Sequence, residues 1–330
     1  MKGLILCAGK GTRLYPFTLK HPKTLIPVAN TPILQSCIEK LTEQGIREIG
    51  VVIHPSQEFD IREQFGLGEG MHVTITYIYQ YEAKGISDAL KQAQSYIGDE
   101  AFLLLLGDNL ISDHLTELKN DVEERGSHAS LLLAEVANPQ DYGIAEVLKD
   151  RIVRLEEKPP VPKSKLAVLG AYAFKGSIFT AVHAIKPSAR GEYEITDAIQ
   201  WMIDQSLPVT YHLTDKLNMD VGTLERWLES NQKMLDEMPS HKAIHESVTL
   251  SNCTIIEPVS IAKGSVLKDC VIGPYVSIGE NSHIENCRIE NSIILSGVHV
   301  QHISHLLKNT VIGYQSVLSG SHVRKEGESQ

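Results

Sequence analysis

The sequence predicts an α/β chain of two domains. A three-layer α/β/α domain of Rossmann-like type is expected over residues 1–238, and a short left-handed parallel β-helix over residues 239–330. Three observations carry this. Short apolar runs alternate with amphipathic segments through the first part, the pattern of strands buried on both faces and covered by helices. Glycine loops follow two of those runs directly. From about residue 250 a hexad-like repeat replaces both patterns.

In chain order, Gly3-Leu4-Ile5-Leu6-Cys7 reads as a buried strand running into a glycine loop. Ile33 to Gln44 has helical spacing closed by Gly45, and Ile49 to Ile53 is the next strand. Ser87 to Tyr96 is helical and leads to the strand Phe102 to Leu106. Strands separated by helices imply a mostly parallel sheet, and ligands on such sheets sit at the carboxyl ends of the strands. Gly9-Lys10-Gly11 and Gly107-Asp108-Asn109 both lie directly after strands, so they are expected to meet in one cleft.

The style changes after the helical stretch Leu224 to Met238, at Pro239-Ser240-His241. Five blocks echo one another: Asn252-Cys253-Thr254-Ile255, Asp269-Cys270-Val271-Ile272, Asn286-Cys287-Arg288-Ile289, Asn291-Ser292-Ile293-Ile294 and Asn309-Thr310-Val311-Ile312. Units such as Ile272-Gly273-Pro274-Tyr275-Val276-Ser277 repeat between them, as in a β-helix with three short faces per turn. Cys253, Cys270 and Cys287 form a column of small residues, with Ser292 and Thr310 expected in the same slot, which favours packing over metal ligation. The polar tail Arg324 to Gln330 is expected to be disordered.

Composition narrows the function classes. An apolar share of 42% and a charged share of 22% describe an ordinary soluble globular chain. A formal charge of −10 leaves no surplus of Lys and Arg to displace counterions from a nucleic acid. No apolar run approaches the roughly 20 residues that span a bilayer, and the stretch after Met1-Lys2 is too short for a signal peptide. Five cysteines without a Cys-x-x-Cys pair suit a reducing compartment, and the expected location is the cytoplasm.

Chemistry concentrates in Ala8-Gly9-Lys10-Gly11-Thr12-Arg13-Leu14. A dinucleotide loop needs a third glycine where Leu14 stands, and a P-loop needs Ser or Thr where Gly11 stands. What remains is a strand-to-turn anion nest whose backbone N–H groups can approach phosphate, with Arg13 adding a planar fork.

This loop, followed by Tyr15-Pro16 and then Lys23-Thr24-Leu25-Ile26-Pro27-Val28, resembles the opening of the sugar nucleotidyltransferases. Further matches run in family order: Leu106-Gly107-Asp108-Asn109, Asp141-Tyr142-Gly143, Leu155-Glu156-Glu157-Lys158-Pro159, the Lys186 to Glu192 stretch, Glu194-Ile195-Thr196-Asp197 and Asp220-Val221-Gly222-Thr223. The repeat region is similar to the tail of the family's long form. The resemblance implies in-line attack of a sugar 1-phosphate on the α-phosphorus of a nucleoside triphosphate, with dTTP and glucose 1-phosphate as substrates and Mg²⁺ as cofactor. UTP or another sugar phosphate is the neighbouring reading.

It also implies residue roles. Arg13, Lys23, Asp108 and Lys158 would carry catalysis, and Asp108 and Asp220 would hold the metal. Leu6, Ala8, Gly9, Gly11, Thr12, Arg13, Gln80, Gly85 and Asp108 would contact the nucleotide. Asn109, Tyr142, Gly143, Glu157, Lys158, Val168, Gly170 and Arg190 would contact the sugar phosphate. An amide such as Gln80 can offer both a donor and an acceptor to a pyrimidine edge, and Gly85 would let the ring approach the backbone. Ala8, Asn218 and Val221 depart from the family's usual residues, which affects pocket shape rather than chemistry. Two other classes compete. Acyl transfer by the β-helix would draw on His283, His299, His302 or His305, although no protruding loop accompanies them; a regulatory pseudo-enzyme would not need the retained cations and carboxylates. The flat coil faces favour a homo-oligomer.

Overall fold

The computed structural model describes residues 1–320 except Leu217, Ser240 and Lys242, so the expected disordered tail lies outside the described residues. The chain divides into two compact units, residues 1–26 with 33–220, and residues 27–32 with 221–330. The hairpin at 27–32 and the helix Leu224–Glu237 are grouped with the repeat region.

In the first unit, the strands are β1 (Lys2–Leu6), β2 (Glu48–Ile53), β3 (Thr74–Tyr79), β4 (Phe102–Leu106), β5 (Asn109–Ile111) and β6 (Ala129–Glu135). They continue with β7 (Gly143–Leu148), β8 (Arg151–Glu157), β9 (Leu166–Phe174), β10 (Val209–Leu213) and β11 (Asn218–Asp220). Nine strands form one sheet, in the order β8-β7-β9-β4-β1-β2-β3, with β6 pairing β9 and β10. The half containing β3, β2, β1 and β4 is parallel, as expected. The other half is not: β9 runs antiparallel to β4, β6 and β7. The helices are α1 (Ile33–Glu43), α2 (Glu58–Phe65), α3 (Ile86–Ile97), α4 (Thr116–Glu123), α5 (Ser177–Ala184) and α6 (Ile195–Asp204).

The core sits where β4 and β1 lie at the middle of the sheet. Phe102, Leu103, Leu104 and Leu105 are all buried, each contributing about 1.5–3 kcal/mol. Phe102 packs on Phe174 of β9 and Phe179 of α5. Leu6 and Leu106 stand in register, so the loops after β1 and β4 leave the sheet side by side.

The second unit contains the helix α7 (Leu224–Glu237) and three stacks of short parallel strands. In one stack Thr249, Val266, His283, His299 and Val317 succeed one another. Leu267, Ile284 and Val300 fill the interior, while the corners use left-handed Asn252, Asp269, Asn286 and Asn309 with φ between 51° and 54°, a conformation that Asn and Asp tolerate. Cys253, Cys270 and Cys287 do occupy equivalent positions, since Thr254, Val271 and Arg288 pair in turn. The Cys270 and Cys287 thiols donate to Lys268 O and Glu285 O at 3.0 Å, and burial pushes Cys270 up to about 11. Ser292 is not in their slot: it pairs with Val276 on another face, and Thr310 follows it there. Five residues from Asn286 to Asn291 cannot complete a coil, so the two Asn blocks mark two different corners. The rings of His283 and His299 stack at 5.6 Å. Asn231 of α7 accepts from Ala29 N and from Ser277 Oγ, which ties the helix and the hairpin to the coils.

Candidate active site

Close approach of the two strand-end loops is built into the backbone. Cys7 N donates to Val52 O at 2.7 Å and Gly107 N donates to Leu6 O at 2.9 Å. A Cβ on Gly107 would stand 2.5 Å from Cys7 Sγ and 2.9 Å from Leu6 O, so only glycine lets the Asp108 loop lie against the first loop. Gly11 takes φ 64° and caps the turn Thr12–Leu14, with its Cα against the Lys23 stem.

Lys23 follows Pro22 in a short 3₁₀ turn and is 7% exposed. Its ammonium is 2.6 Å from Asp108 Oδ2 and 3.2 Å from Asp220 Oδ1. Asp220 arrives by a two-stranded ribbon: β11 pairs antiparallel with β5, setting Asp220 opposite Asn109. Arg13 reaches the same carboxylate from the solvent side, with Nη2 3.8 Å from Asp220 Oδ2. Four sequence segments thus converge on one charged cluster of two cations and two carboxylates. Paired charges of this kind are tolerated because each keeps a partner.

Beside it lies a cavity of about 320 Å³ within the first unit. Leu6, Ala8, Gly9, Lys23 and Asp108 line one part of it. Gln80 and Gly85 line another, and Glu157, Lys158 and Arg190 a third. Gln80 Nε2 donates to Asp88 Oδ2 at 2.8 Å and to Gly85 O at 3.2 Å. Gly85 has φ 98°, and a Cβ there would strike Tyr193 O, so the glycine is also demanded by the backbone packed behind it. Glu157 Oε2 accepts from Thr196 Oγ1 at 3.1 Å, and Arg190 Nη1 lies 3.4 Å from Glu157 Oε1. Lys158 takes φ 42° and its N–H donates to Tyr142 O, which turns the chain at the cavity edge.

Several expected site residues have other surroundings. With its amide oriented to satisfy both ends, Asn109 donates to Asp108 Oδ1 at 2.9 Å and accepts from Gly170 N at 3.3 Å. It therefore braces Asp108, and Gly170 is glycine because a Cβ would collide with that amide. Gly143 is buried where a Cβ would meet Thr196 Cγ2 at 2.6 Å. Val168 belongs to the apolar core beside β6, not to the cavity wall. Gly11, Thr12 and Arg13 flank the cavity without lining it, as do Tyr142 and Asp220.

The cavity also has walls that sequence reasoning did not assign. Cys7, Thr24, Ala83, Ile86 and Ala89 add an apolar floor, while Glu192 and Glu194 add acid. Burial pushes the Cys7 thiol well up, with Cys37 and Asp108 adding to the effect, so the floor is uncharged. Burial likewise raises Glu194, against the hydrogen bond from Ser188. The signal for Ile86 and Ala89 was present in the spacing of α3, which turns one face to the cavity and one to the core.

The profile of the Nucleotidyl transferase family matches residues 2–237. This chain belongs to that family. A second profile, that of the GMPPB C-terminal domain, matches residues 255–329 of the nucleotidyl transferase. The chain is 35% identical to a glucose-1-phosphate thymidylyltransferase of Streptomyces antibioticus over 312 residues, covering 90% of this chain and 87% of that one. It is 36% identical to the UTP–glucose-1-phosphate uridylyltransferase AglF of Haloferax volcanii over 241 residues, covering 72% and 98%. Among solved structures, one assigned as a glucose-1-phosphate thymidylyltransferase of Bacillus anthracis, crystallised with sucrose, superimposes with a TM-score of 0.66. That match has 34% identity and covers 70% of this chain and 94% of the other. Among the described residues no helix is long and apolar enough to cross a membrane.

Proposed function

We propose that this nucleotidyl transferase joins dTTP to glucose 1-phosphate, forming dTDP-glucose and pyrophosphate. The observation that carries the reading is the Lys23 ammonium held between Asp108 and Asp220 beside a cavity with a polar group at each end. A sugar phosphate oxygen attacks the α-phosphorus, one P–O bond forms, and the bond to pyrophosphate breaks. Such a displacement asks for alignment and charge neutralisation, not for a protein nucleophile. Lys23 serves the α-phosphate, Arg13 the departing pyrophosphate and Lys158 the sugar phosphate. Glu157, steadied by Thr196 and Arg190, accepts from sugar hydroxyls.

Two carboxylates aimed at one ammonium make a hard oxygen pair, the donor type that suits Mg²⁺. Among the described residues no third acid, His or Cys joins them, so phosphate oxygens and water would complete the shell. Held by Asp108 and Asp220, Mg²⁺ would supply further neutralisation of the triphosphate. At the other end, Gln80 Oε1 and the Gly85 N–H have no partner among the described residues. An acceptor beside a donor complements the N3–H and O4 of thymine. Uracil presents the same edge, so UTP is the second reading, and a UTP-named relative favours it. Pyrophosphate release measured across dTTP, UTP, dCTP, ATP and GTP with a panel of sugar 1-phosphates tests the proposal. Preference for a purine would overturn the base site, and indifference to the sugar 1-phosphate would overturn the reaction.

A further inference from the structure

We propose that Asp88 is a positioning residue that locks the Gln80 carboxamide with its oxygen toward the base, and so sets discrimination between thymine-type and cytosine-type nucleotides. This rests on the assignment of Gln80 to the base site. A glutamine amide is two-faced, and a half-turn about its last bond exchanges a donor for an acceptor. Unrestrained, Gln80 would offer a donor to the bare N3 of cytosine as readily as an acceptor to the N3–H of thymine. It is restrained twice. Its Nε2 lies 2.8 Å from Asp88 Oδ2 and 3.2 Å from Gly85 O, and neither a carboxylate nor a carbonyl can donate. Both amide hydrogens are therefore engaged, and the flipped rotamer would set Oε1 against two acceptors. Gln80 is 6% exposed and lines the cavity, so the oxygen left over is the atom available to a ligand. Of the two restraints the Asp88 bond is the shorter and is charge-assisted, hence the stronger.

The competing role for Asp88 is purely structural. It sits in the first turn of α3, where a negative charge stabilises the helix N-terminus. The two roles separate by experiment. In the structural role any loss of charge lowers the melting point and treats all nucleotides alike. In the positioning role what counts is an acceptor at Oδ2, so an amide retains function and a hydrocarbon does not.

The test compares kcat/KM for dTTP and dCTP, each with glucose 1-phosphate and Mg²⁺, in the wild type, Asp88→Leu, Asp88→Asn and Gln80→Ala, with a thermal melt for each. Asp88→Leu is expected to lower the dTTP:dCTP ratio about tenfold, the scale of one hydrogen bond, mainly through KM for dTTP. Asp88→Asn should restore at least half of the ratio on a logarithmic scale. If Asp88→Leu leaves the ratio unchanged while Gln80→Ala collapses it, the positioning role is refuted and the base site stands. If Gln80→Ala also leaves it unchanged, the base site itself is wrong. If Asp88→Leu fails to fold, Asp88→Asn decides: a ratio within twofold of wild type despite a lowered melting point supports positioning, and a ratio as low as that of Gln80→Ala overturns it.

Discussion

Replacing Lys23 by Met removes the ammonium and keeps the part of the side chain that Gly11 rests on, since a Cβ at Gly11 would lie 2.9 Å from Lys23 Cβ. Two charge-assisted hydrogen bonds are lost, at 2.6 and 3.2 Å. Asp108 and Asp220 have side-chain exposures of 35% and 27%, so water screens the repulsion left behind. The stability cost should be about 1–2 kcal/mol, or roughly 2–8 °C in melting temperature. The catalytic cost should be far larger, about 10²–10³ in turnover, the scale for losing one preorganised charge at a reacting phosphate. The assay is pyrophosphate release at saturating dTTP and glucose 1-phosphate, with melting curves taken with and without millimolar MgCl₂. The variant's carboxylate pair has lost its counter-charge and should bind the divalent ion more tightly, so MgCl₂ should raise its melting point more than that of the wild type. Wild-type turnover in this variant would falsify the site. A melting point that ignores MgCl₂ would show that Asp108 and Asp220 do not form a metal pair.

Gly107→Ala forces a methyl against Cys7 Sγ and Leu6 O and should cost about 1–3 kcal/mol. Urea titration would register this, and an unchanged midpoint would mean the loops separate freely. Gly170→Ala displaces the Asn109 amide from Asp108, so turnover should fall while KM for the nucleotide changes little. Asp121 is buried, which raises its carboxyl, but Thr210, Ser130, Arg125 and His212 outweigh burial and hold it below its ordinary value. A depressed folded value means the stabilisation is present above the unfolded carboxyl range, near pH 4, and is lost as pH falls through the folded value. Asp121→Asn should therefore melt lower than wild type at pH 7, and the gap should narrow below about pH 4; a constant gap would refute it. Light scattering on the whole chain should return more than one protomer, and a monomer at micromolar concentration would end the expectation of self-association.

Much of this was legible because the informative features are local. Leu4-Ile5-Leu6 and Phe102 to Leu106 announce buried strands by composition, and the glycines after them announce loops. The 17-residue step between Asp269 and Asn286 announces a coil. What was not legible depends on long-range register. Nothing near Leu166 says that β9 will run antiparallel between β4 and β6, and that placement sends Val168 into the core. The step from Asn286 to Asn291 looks like another repeat, although it turns a corner within one coil. The sequence offers Asn109 only as a sugar-phosphate contact, and says nothing of its bond to Gly170, far along the chain, whose N–H donates to the Asn109 amide.

The coils also show where this architecture admits change. Along one stack the paired positions 249, 266, 283, 299 and 317 advance by 17, 17, 16 and 18 residues, yet each strand still meets its neighbour. A residue missing in one coil is restored in the next, and the strands keep their length while the corners absorb the slack. Insertions at corners such as Asn286 and Asn291 should therefore be nearly silent, while the same insertion inside Val276–Ile278 would turn interior side chains to solvent. In this unit, sequence drift is confined to the edges of a prism whose faces stay in step.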